Sequence, residues 1–241
     1  MTPPAAMVLA AGLSKRMRPL TDRTAKPLLP LGGRALIDHA LARLAEAGVE
    51  TVVVNAHWQA DRVAAHLAAR SHPRTTLLRE AALLDTGGSV KAALDLLGEA
   101  PFFVVNGDAF WVDGPIPALA RLVAAFDPSR VDGVLLLHRS FQVRAAVGFG
   151  DFALDPWGVP RRRGEREVVP YIYAGVQLIS PNLLAGTPDG PFSMNLAWDE
   201  AMAAGRLRAV VHDGLWFHLS TPADLAEAES LLQARSTGDT R

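Results

Sequence analysis

The chain has 241 residues, 49% apolar and 20% charged, with 24 basic and 25 acidic side chains and a formal net charge of -1. That composition supports a large buried core rather than disorder, and the near-neutral balance supplies no basic field of the kind that draws nucleic acid. There is no cysteine, which excludes disulfides, thiolate metal sites and thiol nucleophiles together and fits a cytoplasmic enzyme.

The opening "MTPPAAMVLAAG" has no basic n-region and reads as a first strand, not a signal peptide. No later stretch approaches the roughly 18 uncharged apolar residues needed to span a bilayer, so no membrane is expected as a partner. "AMVLAAG" is a buried strand running into a glycine loop, and "ALIDHALARLAEAG" is a helix stopped at Gly48. "VETVVVNA" is a β-branched strand, "QADRVAAHLAAR" a helix and "TTLLRE" a short strand. A Gly-rich turn, "LLDTGGSV", then leads to the helix "KAALDLLG". "PFFVVNGDAFW" is an apolar strand with a polar end at Asn106, Gly107 and Asp108. It is followed by the helix "PALARLVAAF" and the strand "DGVLLLHR".

Beyond about residue 140 the alternation loosens. "VGFGDFALDPWGVPRRRGE" reads as turns and short antiparallel pieces. "YIYAGVQLIS" and "RAVVHDGLWFHLS" are strands around the helix "LAWDEAMAAG". "PADLAEAESLLQA" closes the chain as a helix, with Thr221 as its cap and Pro222 in its first turn, and a polar tail follows. The predicted fold is α/β: a single-domain, Rossmann-like, mixed but mostly parallel sheet flanked by helices. No repeat, low-complexity tract or linker divides residues 1–241.

Ligands of open α/β sheets collect beyond the carboxyl ends of the strands. Three polar clusters fall there: the opening loop, Asn106 to Asp108, and the region around His218. In the loop, Gly12 permits close backbone approach, turn amides can hold phosphate oxygens, and Arg16 and Lys26 are cations suited to a polyphosphate. The loop is not G-x-G-x-x-G, since Ser14 and Met17 stand at the later glycine positions, and it lacks the G-K-S/T of a P-loop. A dinucleotide dehydrogenase is therefore disfavoured.

"LAAGLSKRMRPLT" followed by Lys26-Pro27 resembles the signature of the sugar-1-phosphate nucleotidyltransferases, L-A-[AG]-G-x-G-x-R-[ML]-x-P-L-T with a later Lys-Pro pair. "DTGGSV", "VVNGD" and "WFHLSTPADLAEAE" continue the resemblance in order, over residues 9 to 229. It implies a nucleotide-diphospho-sugar transferase type of fold, with a nucleotide-binding part at about 5–140 and a sugar-binding part at about 141–232, while the polar composition of the tail at 233–241 reads as disordered. It also implies transfer of a nucleoside monophosphate from an NTP to a sugar 1-phosphate, with release of pyrophosphate. Such chemistry needs alignment and charge cancellation rather than a covalent intermediate. In this reading Arg16 holds the departing end of the triphosphate, Lys26 sits at the bond being made, and Asp108 binds Mg2+, with Mn2+ as an alternative. Leu9, Ala10, Ala11 and Gly12 contact base and ribose through the backbone, with Thr86, Gly87 and Gly88 as the facing wall. Asn106 either bonds the ribose or stabilises its turn. Gly150 and Gly175 close around the sugar, and Asn195 is a sugar or phosphate contact or else a helix N-cap. Tyr171 and Tyr173 are core or pocket wall; Trp198 and Trp216 are core.

Three departures stand out. Ser14 replaces the usual second glycine, so the backbone there is expected to avoid glycine-only angles. The E-K-P tripeptide of many relatives is missing, and Arg161, Arg162 and Arg163 either substitute for its lysine or form a solvated loop. His218 stands where the family often has a second metal-binding Asp. It could bind a softer ion, hydrogen-bond phosphate, or leave Asp108 to work with phosphates and water alone. The compact form most resembles the N-acetylmuramate 1-phosphate uridylyltransferases, which implies UTP and a soluble monomer or small homo-oligomer acting on small molecules. The alternatives are a guanylyl- or cytidylyltransferase acting on an acceptor such as mannose or heptose 1-phosphate, and a nucleotide-binding regulatory domain that has lost catalysis.

Overall fold

The structure is a computed structural model that describes residues 2–143 and 148–238, the last four of these by backbone alone. Val147, the first residue of the loosened stretch, and 239–241 of the tail lie outside the described residues. In chain order, β1 (Ala5–Leu9) enters the opening loop, and a small hairpin, β2 (Pro30–Leu31) and β3 (Arg34–Ala35), leads to α1 (Leu36–Glu46). Then come β4 (Thr51–Ala56), α2 (Ala60–Ala68), β5 (Arg74–Arg79), α3 (Asp85–Ala92), α4 (Leu94–Leu97), β6 (Phe102–Asn106), β7 (Phe110–Val112), α5 (Ala118–Ala125) and β8 (Gly133–Arg139). The rest of the chain supplies β9 (Phe152–Leu154), β10 (Pro160–Arg162), β11 (Tyr171–Ile179), α6 (Met194–Ala203), β12 (Leu207–Val211), β13 (Leu215–Phe217) and α7 (Pro222–Gly238).

Period-two alternation builds the core. In β1, Ala6 and Val8 face one side while Ala5 and Met7 face the other; β6 divides Phe103 and Val105 from Phe102 and Val104 in the same way. The first side receives the apolar stripes of α1, α2 and α5, among them Ile37, Leu41, Leu67 and Leu122. The second side receives α3, α4 and α6 through Val90, Leu97, Met194 and Trp198. Burial on both faces explains why the strands read as unbroken apolar runs.

The sheet order is β12-β8-β11-β6-β1-β4-β5, with the β9-β10 pair attached to β11. β1 runs parallel to β4 and β6, β4 parallel to β5, and β8 parallel to β12. β11 is antiparallel to both β6 and β8. One sheet therefore spans the regular and the loosened halves of the sequence, mostly parallel as expected.

A third, smaller core joins Met17, Leu29 and Leu31 of the opening loop to Phe110, Leu219, Leu225 and Ala228. It pins the loop under α7. Thr221 caps that helix reciprocally with Asp224: Asp224 N donates to Thr221 Oγ1 at 3.2 Å and Thr221 N to Asp224 Oδ2 at 2.8 Å. α7 continues to Gly238, into the segment where the polar tail was expected to be disordered. Leu232 packs on the third core, and Glu229 accepts the Gly32 amide at 2.7 Å, fastening the helix to the β2-β3 hairpin.

"LLDTGGSV" is also corrected: both glycines lie inside α3, not in a turn. A Cβ on Gly87 would collide with the Phe192 ring, and one on Gly88 with the Gly190 carbonyl oxygen. The glycines are there because another chain segment passes directly over the helix. "RAVVHDGLWFHLS" divides into two strands: β12 extends the main sheet, and β13 turns away to pair with β7.

Candidate nucleotide site

The chain runs from β1 to β4 and β5 on one side, then returns to β6 on the other side of β1. That reversal is a topological switch point, where the carboxyl ends of adjacent strands open a crevice. A cleft of about 500 Å³ sits there. Leu9, Ala10, Ala11 and Gly12 form one wall, Thr86 stands on another, and Asn106, Lys26 and Asp108 are also in the lining. The nucleotide-side residues anticipated from the sequence thus converge, apart from Gly87, Gly88 and Arg16.

Among the described residues, the amides of Ala11, Gly12 and Leu13 donate no hydrogen bond. Gly12 has no heavy atom within 4 Å of where a Cβ would stand. Nothing in the protein demands a glycine there, so the space belongs to whatever approaches the loop. Ser14 does not avoid the left-handed region as expected: its φ is 49° and ψ 42°. The strain is held by two bonds to its carbonyl, from Thr21 Oγ1 and from Met17 N, both at 3.0 Å. Consecutive unpaired amides in such a loop are the kind of group that can bind an anion.

Lys26 is only 7% exposed, and its ammonium donates to Asp108 Oδ2 in an ion pair. The 37% exposure of the Asp108 side chain puts this pair at the cleft surface and not in the core. Arg16 lies outside the cleft on the exposed loop and makes no hydrogen bond or ion pair among the described residues. Lys26 thus lines the cleft already paired, whereas Arg16 stands outside it.

Gly87 and Gly88 do not supply amides to the cleft. Both donate to the Phe192 carbonyl, at 2.9 and 3.1 Å. Thr86 remains on the wall, its hydroxyl accepting from Met194 N at 2.9 Å. Two cleft residues went unnoticed in the sequence. Asn55, at the end of β4, accepts the Ala10 amide on Oδ1 at 2.7 Å and donates from Nδ2 to Glu80 Oε1 at 2.7 Å. Glu80 follows β5 and also accepts Ser89 Oγ at 2.6 Å. The only advance signal was that a polar residue ends each of these two strands.

The sugar-side residues do not gather at this cleft. Gly175 has φ 78° and lies in the irregular stretch of β11; a Cβ there would come within 3.1 Å of Asn106 Nδ2. It therefore backs a cleft residue without lining the cleft. Gly150 has φ 79°, and a Cβ would strike the Val169 carbonyl. Asn195 is not the N-cap of α6, since Ser193 fills that position; the Asn195 side chain accepts from Arg162 at 2.9 Å on the surface. Each of the three arginines is engaged. Arg161 forms a two-bond pair with Glu167, Arg162 bonds Asp199, and Arg163 bonds backbone carbonyls. Arg161 and neighbouring groups hold the Glu167 carboxyl at about 2. Tyr173 is core: its ring meets Trp198 edge-on at 4.7 Å, its hydroxyl has no partner, and burial pushes its pKa up. Trp198 donates to Gln177 Oε1 at 2.9 Å inside the second core.

His218 lies beside Trp216, ring centroids 5.7 Å apart, and within the fields of Arg16, Lys26, Asp224 and Asp108. Burial pushes its pKa down, the two cations push the same way and the two carboxylates oppose them. Among the described residues no three His, Asp or Glu side chains converge as a ready-made metal cage. Asp108 alone still fits a hard divalent ion, because Mg2+ is commonly held by one or two carboxylates with substrate phosphates and water completing the shell.

A mixed, mostly parallel sheet with β11 reversed between β6 and β8, carrying a nucleotide-sized cleft at its switch point, is the nucleotide-diphospho-sugar transferase fold. A solved structure of UDP-glucose pyrophosphorylase complexed with UDP-glucose shares it, with a TM-score of 0.80 at 16% identity over 98% of this chain and 100% of that one. The chain belongs to the family described as MobA-like NTP transferase domain, whose model matches residues 6–155, and it is a sugar-1-phosphate nucleotidyltransferase. It is 43% identical over 235 residues to N-acetylmuramate alpha-1-phosphate uridylyltransferase of Caulobacter vibrioides, covering 95% of this chain and 97% of that protein. The protein of the same description from Neisseria meningitidis serogroup B is 32% identical, with 95% and 98% covered. No helix among the described residues is long and apolar enough to cross a membrane.

Proposed function

We propose that this chain transfers UMP from UTP to N-acetylmuramate 1-phosphate, releasing pyrophosphate and forming UDP-N-acetylmuramate. A sugar-phosphate oxygen attacks the α-phosphorus, a new P–O bond forms, and the bond to the β-phosphate oxygen breaks with its electrons leaving on pyrophosphate. The observation that carries this reading is the buried Lys26, ion-paired with Asp108 at the cleft surface near the free amides of Ala11 to Leu13. A lysine excluded from water is costly unless an anion meets it. Asp108 is that anion at rest, and phosphate oxygens take over when the nucleotide enters. Lys26 then neutralises charge between two anionic reactants, the amides bind phosphate, and Arg16 swings in from solvent to the departing pyrophosphate.

Asp108, released from Lys26, would hold Mg2+ or Mn2+, which supplies charge neutralisation at the phosphates when bound. His218 would meet phosphate as a neutral hydrogen-bonding group. Ala11 and Gly12 face the nucleotide through the backbone, and Asn106, supported beneath by Gly175, takes the ribose. The similarity to the two uridylyltransferases supports uracil and N-acetylmuramate. The enzyme would act in the cytoplasm, where UTP is made, as a monomer or small homo-oligomer serving the re-use of cell-wall sugar.

Pyrophosphate release across a matrix of nucleoside triphosphates and sugar 1-phosphates tests the proposal. UTP with N-acetylmuramate 1-phosphate is expected to give the highest kcat/KM. GTP with mannose 1-phosphate in first place would replace both substrates, and no turnover with any pair would favour a domain that only binds nucleotide.

A further inference from the structure

The cleft contains a buried polar relay that the substrate reading leaves without a task. Ala10 N donates to Asn55 Oδ1 at 2.7 Å, Asn55 Nδ2 donates to Glu80 Oε1 at 2.7 Å, and Ser89 Oγ donates to the same oxygen at 2.6 Å. The second oxygen, Oε2, accepts Leu84 N at 3.3 Å, and the Glu80 carbonyl accepts His57 Nδ1 at 2.9 Å. Asn55 is 2% exposed, Ser89 3% and Glu80 8%. Among the described residues no lysine or arginine pairs with the carboxylate, and its hydrogen-bond donors, Asn55, Ser89 and the Leu84 amide, are neutral. A carboxylate is an expensive way to hold a core together, and an apolar side chain would do as well if packing were its only purpose.

What the relay does is join four segments that share nothing else in sequence: the loop after β1, the end of β4, the end of β5 and the first turns of α3. Ala10, the first residue after β1, is the last fixed point before the unpaired amides of Ala11, Gly12 and Leu13. Ser89 lies in the same helix as Thr86, on the facing wall. We infer that Asn55 and Glu80 are positioning residues that set the spacing and direction of the two nucleotide walls, acting through the Ala10 amide and through Ser89. Glu80 accepts from three donors and Asn55 both accepts and donates, so each link admits one orientation only. The relay rests on the nucleotide reading for its purpose, though not for its existence.

The polarity of the chain can be inverted, which separates positioning from bulk. Asn55→Asp alone sets a second carboxylate against Glu80. Glu80→Gln alone offers an NH2 group where donors already point. In the double variant, the new carboxylate accepts from the Ala10 amide and from the NH2 group of the new carboxamide, whose second N–H meets Ser89 Oγ, now turned to accept, and whose oxygen accepts from Leu84 N. The expected result is that Asn55→Ala and Asn55→Asp each raise KM for UTP by about tenfold or more, with KM for the sugar 1-phosphate nearly unchanged. Asn55→Asp/Glu80→Gln should recover most of that loss.

The measurement that stands apart from turnover is amide exchange without nucleotide. The Ala10 amide should exchange slowly in the wild-type protein, fast in Asn55→Ala, and slowly again in the double variant. A folded Asn55→Ala protein with unchanged KM for UTP would overturn the inference, and so would a wild-type Ala10 amide that exchanges freely. Should Asn55→Ala fail to fold, the double variant compared with its two parents decides: no recovery over Asn55→Asp refutes the relay. If no substrate pair turns over at all, the substrate reading falls while the exchange data still settle the relay.

Discussion

The two halves of this sheet treat their polar residues in opposite ways. At the ends of β1, β4, β5 and β6, polar groups are buried and point towards one cleft, with Lys26, Asn55, Glu80 and Ser89 all under a tenth exposed. Around β9, β10 and α6 the charges pair on the surface, Arg161 with Glu167 and Arg162 with Asp199, and the glycines fill tight packing positions. Burial of an ionisable group has to be offset by something, whereas an exposed pair contributes little either way. The nucleotide half therefore gathers its buried polar groups, and the unpaired amides of Ala11 to Leu13, about one cleft, whereas the β9–β10 charges are paired at the surface.

The largest effect that could break this contrast is at Lys26. Lys26→Ala is expected to lower kcat/KM by about 10²–10³-fold, the loss typical of removing one preorganised charge-stabilising donor. Circular dichroism should remain native, because Asp108 is exposed enough to be hydrated alone. Steady-state pyrophosphate release checks it, and a loss under tenfold would remove Lys26 from the bond-making position.

A glycine pair, one in the cleft and one behind it, sharpens the comparison. Gly87→Ala pushes a methyl into the Phe192 ring and should cost about 1–3 kcal/mol as overpacking between α3 and the segment before α6. Gly12→Ala meets no protein atom and should leave the unfolding midpoint within about 0.5 kcal/mol of wild type. It should nonetheless raise KM for the nucleotide by about tenfold, because the added methyl stands where a ligand approaches. Chemical denaturation and steady-state kinetics on the two variants read the two effects separately. If Gly12→Ala leaves both quantities unchanged, the open space beside that loop is not ligand space.

Much of this was legible in residue patterns because local physics decided it. Gly48 with φ 87° ends α1 as a helix-stopping glycine should, and Thr221 with Asp224 caps α7. Arg16, Lys26 and Asp108 could be singled out because each is a charge beside an apolar strand or a glycine loop. The remainder depends on partners far away in sequence. Gly87 and Gly88 have turn composition, yet they are helical because Phe192 and Gly190 lie against them, about a hundred residues on. Asn55 and Glu80 look like ordinary strand ends until Ala10 and Ser89 arrive. Ser14 was expected to avoid a strained backbone, and two hydrogen bonds to its carbonyl hold it there instead.

On the sugar side the expected effect is smaller. Arg162 bonds Asp199 at 2.7 Å and lies over the Phe152 ring at 4.8 Å. Arg162→Ala should cost about 0.5–1.5 kcal/mol of stability with kcat within threefold of wild type. A collapse of turnover in a folded Arg162→Ala protein would mean that this surface pair opens to take substrate, and the contrast between the halves would fail.

The smallest effect concerns pH and lies away from both halves' substrates. His138 and His212 are buried beside one another, ring centroids 5.9 Å apart, and burial pushes the pKa of each down. His212 Nε2 donates towards the Val112 and Leu215 carbonyls at 3.1 Å, which leaves Nδ1 unprotonated and without a partner. Protonation would bury an N–H with no acceptor and a charge facing His138, and Asp113 and Asp213 only partly oppose that. Because the folded-state value is below the unfolded one, near 6.5, the unfolded chain binds more protons in mildly acidic solution. Stability from these histidines is full above about pH 6.5 and is lost as pH falls through the lower, folded-state values. Thermal melts at pH 7.5 and 5.5 should therefore show a lower midpoint at the acid end. His212→Gln, which keeps a donor and cannot titrate, should shrink that difference, and an undiminished difference in this variant would assign the acid loss to other groups.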